Sequence, residues 1–294
     1  GHGHDPILLQ TAAMLAHAAL GAWHREWPRR DAFLPRLQPS GHGLGMEETE
    51  ALDGGNTSGD VVRVGDTVRK PWLATTPRVV AFMKSLREGG IDVPGTHGRD
   101  EQGRLVLDFV PETMAIDLAP LPLDVVRRVG SLIRSIHDVS ARLPVPADWP
   151  EGLLPARHAD LICHNDLATW NLVIDGDRLV FIDWDGAAPS SRPWDVAYAA
   201  IAFGHLFPGA DVRDSCDRLA AFAEGYDADQ ALREQLPALM VDRSVAMYEL
   251  LRTSHEIGRE PWASMYPDFH GDHWLNTTQF IQRHQADWSR VLQR

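Results

Sequence analysis

Between Cys163 and Asp195 the chain reads CHNDLATWNLVIDGDRLVFIDWDGAAPSSRPWD. Asn171 follows Asp166 by five residues, and Asp183 opens the Asp-Trp-Asp end of an apolar run. Side chains of these types at this spacing are the parts of a phosphoryl-transfer site. A carboxylate such as Asp166 can accept a hydrogen bond from an incoming hydroxyl and aim it at a γ-phosphate. The demand on it is positional, because the transition state of this reaction is loose. Asn171 offers a carbonyl oxygen, a hard ligand suited to Mg²⁺. Asp183 would bridge the metal and the β/γ-phosphates. His164 belongs to the same catalytic turn, where it braces the loop rather than carrying a proton.

Such groups need elements to hold them. Leu172–Ile174, an Asp175-Gly176-Asp177 turn and Leu179–Ile182 read as a hairpin that delivers Asp183 beside Asn171. Upstream, LDGGNTSGDVVRVGDTVRKP (residues 52–71) combines a glycine-rich turn, a strand at Val61–Val64, a Gly65-Asp66 turn and a second strand, Thr67–Lys70. Backbone N–H groups of a glycine-rich turn can approach an anion without Cβ interference, which makes Gly55 and Ser58 candidate phosphate contacts. Arg69 and Lys70 point to opposite faces of their strand. One would reach the α/β-phosphates, and Lys70 is favoured because Val68, on its face, could lie against adenine. Thr76-Pro77 opens a helix that runs to Glu88 and is closed by Gly89-Gly90. A buried strand, LVLDFVPE, follows, and main-chain atoms around Phe109 and Val110 would serve as a hinge against an adenine edge.

From Pro122 to Leu143 apolar residues keep helical spacing, with His137 near their stripe as a core histidine. After Asp195 four further segments show helical periodicity broken by Gly or Pro. Residues 6–25 also read as a helix, within a leading piece that carries no motif. The opening Gly-His-Gly-His reads as an expression remnant.

Composition sets the setting. The 294-residue chain is 44% hydrophobic and 23% charged, ordinary for a globular protein with a proper core. Its formal net charge of −13 argues against a nucleic-acid-binding surface and suits a cationic small substrate, although a solvated acidic surface also explains it. Cys163 and Cys216 are its two cysteines, too few for a disulfide framework, so a reduced, cytoplasmic setting is expected. No segment reads as a membrane span.

The motifs resemble those of the aminoglycoside phosphotransferase family, which shares the protein-kinase-like fold with choline kinases. His164, Asp166 and Asn171 match that family's catalytic loop, and Asp183 its metal-binding Asp. Asp195, in Pro-Trp-Asp-Val-Ala-Tyr, matches the Asp that opens the next helix and ties down the loop. Ser135-Ile136-His137-Asp138 resembles the helix ending in Leu-His, and the hairpin with Arg69-Lys70 the nucleotide-binding lobe. The resemblance implies an α+β, two-lobed fold: an N-terminal helical extension (1–49), a nucleotide-binding lobe (50–112) and a mainly helical lobe (113–294). It implies transfer of a phosphoryl group from ATP or GTP, with Mg²⁺, to a hydroxylated and possibly cationic small molecule. An aminoglycoside or another natural-product antibiotic is the expected acceptor; a choline, amino-alcohol or sugar kinase and a regulatory pseudokinase are the alternatives. Either a monomer or a homodimer is compatible.

Two features depart from the family. The helix after the strand cation offers only Glu88, at its far end, as a partner for that cation. Asn165 stands where many relatives carry Gly. For the acceptor, Asp227, Asp229, Glu249, Glu256, Asp268 and Asp272 are acidic candidates, with Trp262, Tyr266 and Trp274 as stacking surfaces. Of these, Asp227, Glu256, Trp262 and Trp274 are the expected contacts.

Overall fold

The computed structural model describes residues 49–51 (as backbone), 61–111 and 113–294. The helix expected at 6–25 and the phosphate candidates Gly55 and Ser58 lie outside the described residues.

Five short strands form an antiparallel sheet in the order β1-β2-β3-β5-β4. They are β1 (Thr49–Ala51), β2 (Val62–Val64), β3 (Thr67–Lys70), β4 (Thr96–Arg99) and β5 (Leu105–Asp108). The β2–β3 turn places Gly65 at φ 59°, a left-handed conformation that glycine adopts without Cβ strain. Helix α1 (Thr76–Glu88) follows with Pro in its first turn, and it buries Val79, Phe82, Met83 and Leu86. Both of its ends fall where the Thr-Pro and Gly-Gly signals put them. β4 was not foreseen: it is an irregular edge strand with three of its four residues exposed, so no alternation of apolar and polar residues marks it.

The rest is mainly helical. α2 (Leu123–Ser140) packs against α4 (Val212–Gly225), with α3 (Arg192–Phe203) and the 28-residue α5 (Gln230–Ile257) beside them. α2 and α4 approach closely at Gly225, where any Cβ would collide with the Arg127 carbonyl. The last elements are α6 (Trp262–Met265), α7 (Gly271–Arg283) and α8 (Gln285–Leu292). Between α2 and α3 lie β7 (Leu161–Cys163), the hairpin β8 (Leu172–Asp175) and β9 (Arg178–Phe181), and β10 (Ala188–Ser190). β6 (Thr113–Met114) pairs with β8, and β10 with β7. The β8–β9 turn sets Gly176 at φ 55°, as its Asp-Gly-Asp sequence predicts.

This is the expected α+β architecture: a small β-rich lobe on a larger helical one. Phe82 of α1 joins them through edge-on contacts with Trp149 (6.3 Å) and Trp184 (5.9 Å), within one continuous hydrophobic core. The catalytic-loop segment and the β9 end therefore meet the sheet at the junction of the lobes. Among the described residues no helix is long and apolar enough to cross a membrane.

Candidate active site

The turn after β7 carries three adjacent residues with different tasks. His164 is fully buried, donates from Nε2 to the Ile182 carbonyl (3.0 Å), and lies 4.5 Å from the Trp184 ring. Burial lowers its pKa, so it is held as a neutral ring. Asn165 sits at φ 66°, where Gly is the default and Asn is tolerated. The departure from Gly at this position therefore keeps the same backbone shape. The Asn165 side chain also donates to the Gly186 carbonyl (3.1 Å), tying the loop to the segment beyond β9.

Asp166 is 2% exposed, and burial pushes its carboxyl up to about 7. Asn171 steadies it: the amide nitrogen donates to the Asp166 backbone carbonyl (3.0 Å) and to Oδ2 (2.6 Å). Trp170 Nε1 donates to the same oxygen (3.3 Å). With its nitrogen so engaged, Asn171 keeps its carbonyl oxygen for another partner. The Tyr198 hydroxyl is buried beside Asp166, and burial together with the Asp166 charge raises its pKa.

Asp183 follows β9 at φ 59°, a strained value for a non-glycine residue that is most often retained at functional sites. Its Oδ1 accepts from Lys70 Nζ at 2.8 Å, and Lys70 also contacts Asp185. Burial opposes the Lys70 charge, but Asp183 and Asp185 override it and raise the ammonium pKa. Burial likewise opposes the Asp183 charge, and Lys70 overcomes it, holding this carboxyl below its ordinary value. Asp185 goes the other way: burial carries it to about 6, with the Asp183 charge adding to the effect. One ammonium shared by two carboxylates thus favours ionisation of one of them.

Arg69 and Lys70 separate as the strand geometry requires. Lys70 is buried and faces the carboxylates, whereas Arg69 lies near Asp100 (3.7 Å) on the other side. The missing helix glutamate is explained as well. Glu88 is exposed and, among the described residues, pairs only with Lys84 (3.9 Å), and the strand cation is held by Asp183 and Asp185 instead. Phe109 and Val110 follow β5, and Phe109 is covered by the Arg63 guanidinium at 3.9 Å from its ring centre.

Asp195 opens α3 and reaches back to the loop. Its Oδ1 accepts from the Asn165 N–H (3.0 Å), and its Oδ2 meets His137 Nε2 (3.0 Å). His137 Nδ1 in turn meets the Tyr226 hydroxyl (2.8 Å). The ligand-type atoms of His137, Cys163 and Asp195 lie within 4.8 Å of one another, a grouping that could suggest a metal. Here both histidine nitrogens are occupied, and burial, with the Asp195 charge, pushes the Cys163 thiol well up. The trio is a brace.

A cavity opens beside Asp166 and Asp185, lined also by Thr75, Trp149, Arg243 and Met247. The expected acceptor contacts lie elsewhere. Trp262 and Trp274 are core residues at 0% and 1% exposure, Trp274 stacked on Tyr198, so neither offers a stacking surface. Asp227 sits in the α4–α5 turn near Arg134 (3.8 Å), and Glu256 pairs with Arg252 (2.5 Å), as does Glu249 (2.6 Å). Asp229 caps α5 by accepting from Leu232 N–H (2.8 Å). None of these lines the cavity at Asp166. Asp185, Trp149 and Arg243 were not singled out from sequence. Asp185 was legible as the second acid of Ile-Asp-Trp-Asp; the other two carry no local signal.

Residues 146–239, spanning the catalytic turn, the β8–β9 hairpin and about the first third of α5, match the Phosphotransferase enzyme family. Over these residues the chain is similar to that family. No curated protein matches its sequence. Among solved structures it is similar to amicoumacin kinase in complex with AMP-PNP, Ca²⁺ and Ami, at 13% identity and TM-score 0.56, over 73% of this chain and 84% of that one. A choline/ethanolamine kinase family protein from Mesorhizobium loti gives 15% identity and TM-score 0.54 over 92% of this chain and 98% of that one. The microcompartment-associated aminopropanol kinase gives 15% and 0.53 over 79% and 90%. At these identities the likeness is one of fold, and it is the kinase-like fold that the motifs implied.

Proposed function

We propose that this phosphotransferase moves the γ-phosphoryl group of ATP or GTP to a hydroxyl of a small molecule bound beside Asp166. The observation that carries this reading is a buried carboxyl, pushed up to about 7, that lines a cavity together with Asp185 of the Lys70–Asp183–Asp185 cluster.

In this reading the acceptor hydroxyl donates its hydrogen bond to Asp166, which Asn171 and Trp170 hold in place. The acceptor oxygen forms the new bond to phosphorus, while the bond from phosphorus to the β,γ-bridging oxygen breaks. The electron pair leaves with the nucleoside diphosphate, and the hydroxyl proton passes to Asp166 and then to solvent. Lys70 turns from the carboxylates to the phosphates when nucleotide is present. Asn171 and Asp183, with Asp185 close by, form an all-oxygen donor set that fits a hard cation, Mg²⁺ by preference. When bound, such a cation neutralises charge on the phosphates. His164 and Asp195 shape the loop and do not enter the reaction. The backbone at Phe109 and Val110 is assigned to the nucleotide base, and the two lobes divide near residue 112.

The acceptor is taken to be a compact hydroxylated molecule. The structural neighbours are described as kinases of amicoumacin, of choline or ethanolamine, and of aminopropanol, which spans antibiotic and metabolic acceptors alike. A regulatory pseudokinase loses its one support, because the strand cation has carboxylate partners. The test is nucleotide consumption with Mg²⁺ across hydroxylated antibiotics, amino alcohols, sugars and hydroxy acids, with mass spectrometry of each acceptor. A gain of one phosphoryl group on one chemical class is the expected result. Absence of nucleotide binding in the presence of Mg²⁺ would refute the reading.

A further inference from the structure

Arg243 stands on α5 at the wall of the cavity that holds Asp166, and it is 4% exposed. Among the described residues its one hydrogen bond runs from Nη2 to the Asn165 carbonyl (3.2 Å), and Nε and Nη1 are buried without partners. The guanidinium lies over the Tyr198 ring, 4.4 Å from its centre, and 5.5 Å from that of Trp194. Ring faces soften the burial of a cation but do not accept its N–H bonds as an oxygen would. A buried guanidinium with two nitrogens unused is costly, and natural interiors seldom tolerate one without a ligand or water.

A second group repeats the pattern on the same cavity. Trp149 Nε1, which can only donate, is also buried and unpartnered. Met247 and Leu154 supply apolar wall, while Asp166 and Asp185 supply the acidic side. The cavity lining therefore combines two kinds of group: carboxyls that can accept a hydroxyl proton, and a guanidinium with spare N–H donors.

We infer that Arg243, assisted by Trp149, is a specificity-determining group that receives an anionic oxygen group of the acceptor, a carboxylate above all. The acceptor class that suits both kinds of group is a small hydroxy acid or hydroxylated amino acid, rather than a purely cationic amino alcohol or polyamine sugar. This departs from the cationic acceptor that net charge alone suggests, because the charge that matters lines the cavity and not the whole surface. The inference rests on the phosphotransferase reading for the acceptor's hydroxyl only. Planar, forked donors suit carboxylates, and Lys at this position would meet them as a point charge.

The test uses matched probes that differ by the carboxylate: glycerate against glycerol, and serine against ethanolamine. Binding to the full-length protein loaded with ADP and Mg²⁺ is measured by calorimetry, for the wild type, Arg243→Met and Arg243→Lys. The wild type is expected to bind the carboxylate member at least ~10-fold more tightly, as a charge-assisted bidentate contact gives. Arg243→Met should bring the pair within about three-fold, and Arg243→Lys should keep part of the preference. Unchanged affinity for ADP with Mg²⁺ certifies that each variant is folded. The inference is overturned if wild-type binding favours the neutral or cationic member, if no carboxylate binds, or if the preference survives in Arg243→Met. It is also overturned if Arg243→Met loses nucleotide affinity, which would assign the guanidinium to phosphate. Arg243-dependent carboxylate binding without phosphoryl transfer to any acceptor would leave this inference standing and refute the proposed reaction instead.

Discussion

Two buried polar centres lie on either side of the catalytic turn, and they differ in how completely their hydrogen bonds are closed. In the first, Asp195 holds the Asn165 N–H and His137 Nε2, and the other His137 nitrogen meets Tyr226. Nothing there waits for a ligand. In the second, Lys70 is shared by Asp183 and Asp185, Asn171 keeps a carbonyl oxygen, and Arg243 and Trp149 keep unused N–H groups. Closed networks rigidify a fold; open ones are costly to the empty protein and are balanced when something binds. The contrast separates scaffold from site although both centres hold buried carboxylates.

The contrast can be broken most forcefully at Asp183. Asp183→Asn is expected to lower phosphoryl transfer by on the order of 10²–10³-fold with little effect on melting temperature, read by steady-state kinetics and calorimetry. A similar loss of stability with intact turnover would exchange the roles of the two centres. Asp195→Ala should behave in the opposite way. It strands the Asn165 N–H and His137, so a loss of roughly 2–4 kcal/mol in denaturant unfolding is expected. Nucleotide affinity measured well below the new midpoint should change only a few-fold.

Lys70→Met sharpens the difference further, because it leaves two carboxylates facing each other in the open centre. The metal-free variant should be destabilised by about 2 kcal/mol, Asp183 being partly exposed, and Mg²⁺ should restore more stability to it than to the wild type. No difference in the Mg²⁺ response would show that these carboxylates do not form the cation site.

The smallest effect concerns His273, outside both centres. Burial, with the His270 charge adding to it, lowers its pKa to about 4. The unfolded chain takes up this proton near pH 6.5 and the folded one resists it, so the stability is complete above 6.5 and is lost as pH falls towards 4. His273→Phe should remove about 1–2 kcal/mol of the loss between pH 7 and pH 5, seen in melts against pH. An unchanged slope would contradict the burial of a neutral ring there.

Local chemistry was readable from the chain wherever a few neighbouring residues decide it. The Gly65 and Gly176 turns, the Thr-Pro and Gly-Gly limits of α1, and the spacing of Asp166, Asn171 and Asp183 are all of this kind. What packing decides was not readable. Lys70 finds Asp183 across 113 residues, and Arg243 meets Asn165 across 78. Trp262 and Trp274 looked like stacking surfaces because an aromatic residue on an amphipathic helix can face either way; the helices around α5 bury both. Asp227 and Glu256 found arginine neighbours, as scattered surface acids commonly do.

Asp166→Asn decides between a transferring centre and one that only binds. Asn is close to isosteric, retains the contacts around the turn, and removes the carboxylate that takes the hydroxyl's hydrogen bond. ATP affinity in the presence of Mg²⁺ and transfer to the identified acceptor are measured on the same preparation. Transfer abolished with affinity within about three-fold of wild type is the predicted result. Transfer that persists near the wild-type rate would contradict the role given to Asp166 and, with it, the mechanism.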